Sequence, residues 1–404
     1  MNNIKKTSIL FLMFLLIFIL YQITEKNSNN NIVKVSEFKA KYNEKDDTGR
    51  IQRAINYAVK HNYSTVKINR GNYDVSSPLI LSKAKNVSII GNGAKINFTS
   101  NLKSVKGDIK AFVINNCSDV TIKRLTINIV NEKQEYTGIH IASSNNIVLH
   151  QVNINKAGWI GIAISDDLTG NSQGITINNC RVEHCRVGIW SNGNFVKIMN
   201  KTLVSNHWST STERSLQGQV PIWENNSTYY DGIIIKGEHW VIKDCLILDN
   251  GQSGIYSGET KNGLISNNII KGNWNKGIDL GASKSNKTSS IQFITIENNK
   301  LQDNKTGQIH LSNVDNSIVM KNDALVLDTT YEKISTYAQP AIILNKSCVA
   351  NIIKDNSVLQ NYENVAGIFV NSTGFKSSRN IIEHNEVSAK LQYNIDSKAN
   401  TLVR

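Results

Sequence analysis

The sequence predicts an all-β parallel β-helix, or β-solenoid, closed at its N-terminal end by one capping helix. Three observations predict it. A glycine-plus-aliphatic strand recurs: "GIHIA" at 138, "GIAIS" at 161, "GIWSN" at 188, "DGIIIKG" at 231, "GIYSG" at 254, "GIDLG" at 277, "QIHLS" at 308 and "GIFVN" at 367. Second strands such as "VTIKRLTI", "ITINNCRV", "WVIKDCLIL" and "FITIENNKL" alternate with these. Most intervals are about 22–27 residues, a length that suits solenoid coils and is too short for βαβ units. Finally, helical periodicity is confined to the stretch before residue 61, and Pro occurs only 3 times in 404 residues.

The N-terminal element is "MNNIKKTSILFLMFLLIFILYQITEKNSNNN", in which Lys5 and Lys6 precede an apolar run from Ile9 to Tyr21. That layout is an export signal. No small-x-small cleavage site and no lipobox cysteine follow, so residues 1–23 read as a signal anchor, with a cleaved signal peptide as the alternative. Residues 24–34 are polar and Asn-rich, a tether, and residues 35–404 then form a β-helix domain outside the cytoplasmic membrane.

The cap occupies residues 35–75. Asp46 and Asp47 precede Ile51, Ala54, Ile55, Ala58 and Val59 at helical spacing, so an Asp caps an amphipathic helix and the acidic pair is not catalytic. Such a helix covers the open end of a solenoid, where bare strand edges invite aggregation. The segment from "DDTGRIQRAINYAVKHNYSTVKINRGNYDV" through "IIGNGAKINF" closely resembles the N-terminal cap of the pectate-lyase-like right-handed β-helix superfamily. With the repeats, the resemblance spans roughly residues 36–400 and implies a right-handed coil. Members of that superfamily act mostly on carbohydrate: polygalacturonase-like hydrolases, pectate and alginate lyases, alginate epimerases and phage tailspikes. Their catalytic signatures do not carry over. Here Asp166-Asp167 precedes Tyr230-Asp231-Gly232, the reverse of the polygalacturonase order, and both Gly-His-Gly and the Arg-x-Pro-x-x-Arg of calcium-dependent lyases are missing.

Five cysteines without paired spacing make neither a disulfide framework nor a zinc site. Cys117, Cys180 and Cys245 stand where other coils have Asn ("ISNN", "IENN", "IKDN", "IEHN"), so an internal Asn/Cys ladder at a turn is expected.

In each "GIxΦ" strand the aliphatics point inward and x points out. Along successive coils x is His140, Ala163, Trp190, Ile234, Tyr256, Asp279, His310 and Phe369. Aromatics present flat faces to sugar rings, and carboxylates and imidazoles do acid–base work, so this line reads as a groove for substrate. Strand ends add Asp166, Asp167, Lys236 and Glu259, with Asp231 at the start of its strand. The expected catalytic set is Asp279, Asp231, Glu259 and Asp167, with Lys236 and Tyr256; Trp190, His310, His140 and Asp166 are expected to bind substrate. A long interval at residues 200–231, carrying Glu213, Arg214 and Trp223, reads as a wall inserted over the groove.

Glycosidic hydrolysis needs two carboxyls, and coil stacking sets their separation at ~5 Å for adjacent coils and ~10 Å for coils two apart. Glu259 and Asp279 are one coil apart, and Asp231 and Asp279 two apart. Lyase or epimerase chemistry instead needs a base for the uronate C5 proton and a cation for the carboxylate, which Lys236, Tyr256, His310 and Arg214 supply. The net charge of +13 suits an acidic polysaccharide, while the scattered basic residues and the lack of a basic run argue against nucleic acid. No cofactor is required, and Ca2+ is compatible. A non-catalytic glycan-binding surface β-helix is the reading from a different class.

Overall fold

The computed structural model describes residues 31–99, 109–130, 136–164, 172–205, 230–281, 291–329, 339–371, 378–397 and 399–404. Stacked coils each place one strand in a 12-stranded sheet, here the short sheet, and the rest in a 25-stranded sheet, the long sheet. All strand pairs along both sheets are parallel, as coil stacking requires. The fold is a right-handed parallel β-helix, as the repeats predict.

Inward positions stack like on like. Ile189, Ile233, Ile255, Ile278, Ile309 and Ile342 are in register and fully buried. Burying each such side chain contributes roughly 1.5–3 kcal/mol. The glycine before the first four of these isoleucines is demanded by close backbone approach: a Cβ on Gly277 would lie 2.7 Å from the Gln308 carbonyl and 2.7 Å from Asn304 Nδ2.

The long sheet turns a corner between its two strands, in most coils at a residue of positive φ. Asn179, Asp244, Asn267, Asn298, Lys321 and Asp355 hold that place with φ between 51° and 55°, where Asn and Asp are tolerated best. The next residue turns inward and builds the ladder. The side-chain amide of Asn268 donates to Asn299 Oδ1 (2.9 Å), Asn299 to Asn322 (2.9 Å), Asn322 to Asn356 (3.0 Å) and Asn356 to Asn385 (2.9 Å). Cys245 continues the line, its backbone N–H donating to Asn268 Oδ1 at 2.9 Å, and Cys180 occupies the same corner beside Thr202. Cys117 corrects the expectation. It sits in a different turn, after a short-sheet strand, where its N–H donates to Ser144 Oγ, and Cys348 repeats its contacts to strand carbonyls. The sequence "INNC" is shared because both turns place a small inward residue after an Asn of positive φ. All five cysteines are free and buried. Burial pushes the thiols of Cys185, Cys245 and Cys348 up to about 12, so they are structural and unreactive.

At the N-terminal end the helix spans Thr48–Lys60 and buries Ile51, Ala54, Ile55 and Ala58. Of the two acids before it, Asp46 makes the capping bond. Asp47 makes no side-chain capping bond and pairs with Arg50, while Asp46 Oδ1 accepts from the Thr48 N–H at 2.9 Å. Ile32–Lys34, expected within the tether, is a strand paired with Thr65–Lys67. The signal segment lies outside the described residues.

The long interval adds no coil to the short sheet. Strand Val187–Ser191 pairs directly with Ile233–Ile235, Ile189 opposite Ile233. Leu203–Ser205, counted in the wall, is instead an ordinary long-sheet strand paired with Leu246–Leu248. Residues 206–229, with Glu213, Arg214 and Trp223, lie outside the described residues.

Candidate active site on the outer face of the short sheet

Register alone assembles the outward line. His140 pairs with Ala163, then follow Trp190, Ile234, Tyr256, Asp279, His310, Ile343 and Phe369 in consecutive coils. Ile343 is the member that the glycine motif misses, because its strand reads "AIILN". The face is not an ordinary solvated surface. Ile160, Ala163, Val187 and Ile234 form an apolar cluster separate from the solenoid core, with Trp159, Trp190 and Tyr256 packed against it.

Asp279 lies at the centre, half-buried, with its Oδ1 2.7 Å from His310 Nδ1. Donation from Nδ1 leaves Nε2 as the acceptor of the neutral ring. Burial alone would raise the Asp279 pKa; the His310 contact and the charges of Lys276 and Lys346 outweigh it and hold the carboxyl below its ordinary value. One coil earlier, the Tyr256 hydroxyl reaches the Gly281 carbonyl at 3.5 Å.

Asp231 behaves oppositely. It is 3% exposed, and its Oδ1 accepts from the Ser253 N–H at 2.9 Å. Burial, with the negative charge of Asp279 adding to it, pushes the carboxyl up to about 7. In the coils that follow, the same turn carries a second amide ladder, Asn250 to Asn273 (2.8 Å), Asn304 (2.7 Å) and Gln308 (2.6 Å). Two carboxyls two coils apart, about 10 Å along the stack, are thereby pushed in opposite directions, Asp231 up and Asp279 down.

The other expected residues divide. Trp190 is half-buried, with its indole N–H donating to Asn192 Oδ1 at 3.3 Å, and Lys236 is half-buried two residues beyond Ile234. Glu259 is exposed on the turn beyond Tyr256, away from the ladder positions. His140 is buried on the same line but five coils from Asp279, about 24 Å away, too far to share its chemistry. Asp166 and Asp167 lie outside the described residues. Among the described residues, no three His, Cys, Asp or Glu side chains converge on a cation position.

Two features escaped the sequence reading. Lys276 enters three residues before Asp279, on the turn repeat that carries Asp231 and Ser253. Arg186 stacks between two rings, its guanidinium 4.3 Å from the Trp159 centroid and 5.7 Å from that of Tyr230. Trp159, Arg186 and Tyr230 each stand immediately before the column Ile160, Val187 and Asp231, so the signal was a repeat position two residues ahead of the conspicuous glycine.

Comparison with known proteins agrees with this architecture. A family model described as a right-handed beta helix region matches residues 231–402. The tail spike protein of Salmonella phage epsilon15 is 33% identical over 216 residues, 46% of this chain and 18% of that protein, so the chain spans under a fifth of that relative's length. The Dettilon tailspike protein superposes with a TM-score of 0.72 at 21% identity, covering 91% of this chain and 69% of that one. The A-module of the mannuronan C-5 epimerase AlgE6 of Azotobacter vinelandii gives 0.66 at 14% identity over 92% of this chain and 99% of the module. The surface protein and adhesin PfbA of Streptococcus pneumoniae gives 0.62 at 14% identity over 92% and 100%. By coil register and these likenesses, the chain has the fold of a right-handed parallel β-helix.

Proposed function

We propose that this protein binds a polysaccharide along the outer face of the short sheet and hydrolyses its glycosidic bonds there. The observation that carries the reading is the pair Asp231 and Asp279: one carboxyl raised to about 7, the other held ionised by His310. A protonated acid and an ionised carboxylate two coils apart are the equipment of an inverting glycosidase, whose carboxyls stand roughly 6.5–9.5 Å apart with water between them. Asp231 would protonate the leaving oxygen, and Asp279, polarised by His310, would activate the water. Trp190, three coils away, supplies a stacking platform, and Lys236, Lys276 and Arg186 favour an acidic chain. The tail spike relative and the epimerase and tailspike folds support a carbohydrate ligand.

A second reading rests on the contiguous set Tyr256, Asp279 and His310, with Lys276 and Lys346 nearby. A base and a cation so placed would suit proton abstraction at C5 of a uronate, by β-elimination or epimerisation. Incubation with a panel of bacterial capsular and plant acidic polysaccharides decides between them. New reducing ends without absorbance near 235 nm support hydrolysis. Absorbance from an unsaturated uronate supports elimination, and inversion at C5 without cleavage supports epimerisation. Retention of polymer with no chemistry would leave a binding protein, as in an adhesin. The apolar run Ile9–Tyr21 extends the proposal to an anchored, extracytoplasmic enzyme. The protein should then stay with membranes after a salt wash, and a soluble form starting near residues 25–32 would replace the anchor with a cleaved signal.

A further inference from the structure

A different line of the solenoid carries an outlier of its own. Where the chain leaves the short sheet and enters the long one, the coils share a position of positive φ, and the register aligns it from coil to coil. They are Asn86, Asp119, Asn146 and Gly174 in the early coils, and Asn316, Ala350 and Arg379 in the late ones. Asn, Asp and Gly adopt that conformation at least cost. In the four middle coils the same position holds Phe195, His239, Asn262 and Phe293, with φ of 54°, 59°, 53° and 57°. A bulky ring in left-handed backbone is unfavourable. These rings do not recover that cost by burial: Phe195 is 50% and Phe293 53% exposed. Phe195 and His239 stack face to face, centroids 4.9 Å apart and planes 7° apart.

We infer that Phe195, His239 and Phe293 form a second, non-catalytic binding strip for a polysaccharide chain running parallel to the solenoid axis. The rings recur on the coil spacing, over about 14 Å from the first coil to the fourth, and that spacing is close to the length of one sugar unit. Flat, exposed, rigidly held rings are what sugar faces stack against. The residue before each of these four positions is polar, Asn194, Glu238, Lys261 and Gln292, which supplies hydrogen-bonding groups for hydroxyls beside the rings. Two half-exposed phenyl rings and an imidazole amount to far less than the ~800 Å² per partner of a stable protein interface, so the strip fits a slender chain better than a second copy of this protein. It lies beyond the turn from the Asp279 line: Phe195 is five residues past Trp190, and His239 five past Ile234. A polymer held there would remain attached while the groove engages successive stretches of it.

The inference takes only its ligand class, a glycan, from the function proposed above. Its test is affinity electrophoresis of the full chain through gels containing polygalacturonate, alginate or purified capsular polysaccharides, with turnover of short oligosaccharides measured alongside. The double variant Phe195→Asn/Phe293→Asn, which installs the residue used by neighbouring coils, should fold with an unchanged or higher Tm. Its apparent Kd for the polymer should rise roughly ten-fold, the scale of losing aromatic contacts, with oligosaccharide turnover unchanged. Phe195→Tyr/Phe293→Tyr, which keeps the rings, should bind like wild type. Equal retardation of the Asn variant, loss of binding in the Tyr variant, or no retardation of wild type on any polymer overturns the strip. So does light scattering that finds an oligomer in wild type and a monomer in the Asn variant, since the rings would then belong to an interface. Ring-dependent retardation without turnover would sink the hydrolase and leave the strip. Turnover with ring-independent retardation would do the reverse.

Discussion

The corner ladder and the outer face of the short sheet are both lines of side chains repeated once per coil, yet they are built on opposite rules. At the corner, Asn268, Asn299, Asn322 and Asn356 are identical, buried, and satisfied by one another and by strand carbonyls. On the outer face no two neighbours among Trp190, Ile234, Tyr256, Asp279 and His310 are alike. Repetition lets each coil meet the hydrogen-bonding needs of the next, so an identical stack is a device for stability. A stack of unlike residues gives that up. What it gains is a set of different groups at fixed spacing, which is what chemistry on a polymer needs. The contrast predicts that substitutions at the corner will move stability and substitutions on the outer face will move activity.

The largest effects should separate the two lines most cleanly. Asp279→Asn should lower kcat by about two decades or more, with Tm nearly unchanged; full turnover in a folded variant would return Asp279 to the role of a surface acid. Asp231 gives the comparison a pH dependence. If it is the proton donor, kcat should fall as pH rises through about 7, and that limb should vanish in Asp231→Asn, leaving only residual activity. Stability has the same sign. The folded protein holds this proton more tightly than the unfolded chain, whose carboxyl titrates near 3.8, so stability decreases as pH rises from about 4 to about 7. The variant should lack that slope in urea titrations at several pH values.

At the corner, Asn299→Ala removes an amide that accepts from Asn268 and donates to Asn322 and to the Ile265 carbonyl. About 2–3 kcal/mol should be lost, because buried partners are left unmet, and the urea midpoint should show it while KM stays constant. Trp190→Ala should act the other way, raising KM several-fold at constant kcat, since a stacking platform serves ground and transition states alike. The smallest effect is expected for Cys245→Asn. An amide there extends the ladder toward Asn268 Oδ1 and the Ile198 carbonyl that the thiol now faces, so Tm should hold or rise by a few degrees at most. A large loss would show that the cysteine line is set by volume and not by hydrogen bonding.

Much of this molecule is legible in the residue order because a solenoid is quasi-one-dimensional. Strand alternation and a coil-length repeat are local properties. They are enough to place Ile278 and Leu280 inside and Asp279 outside, to bring His310 next to Asp279, and to predict that residues 200–231 interrupt the rhythm. Two things are not local. One is which turn of a coil a short motif belongs to, so "INNC" at 117 and "INNC" at 180 read alike and lie in different corners. The other is the environment of a side chain that leaves the strand. Sequence ranks Asp231 and Glu259 as similar acids at strand ends, but tertiary packing buries Asp231 against the Ser253 N–H within the field of Asp279 and leaves Glu259 in water. A carboxyl's pKa is set by desolvation and by charges on neighbouring coils. Position along the line was therefore determined by the chain itself, whereas the difference in protonation between the two acids was decided only by the packed structure.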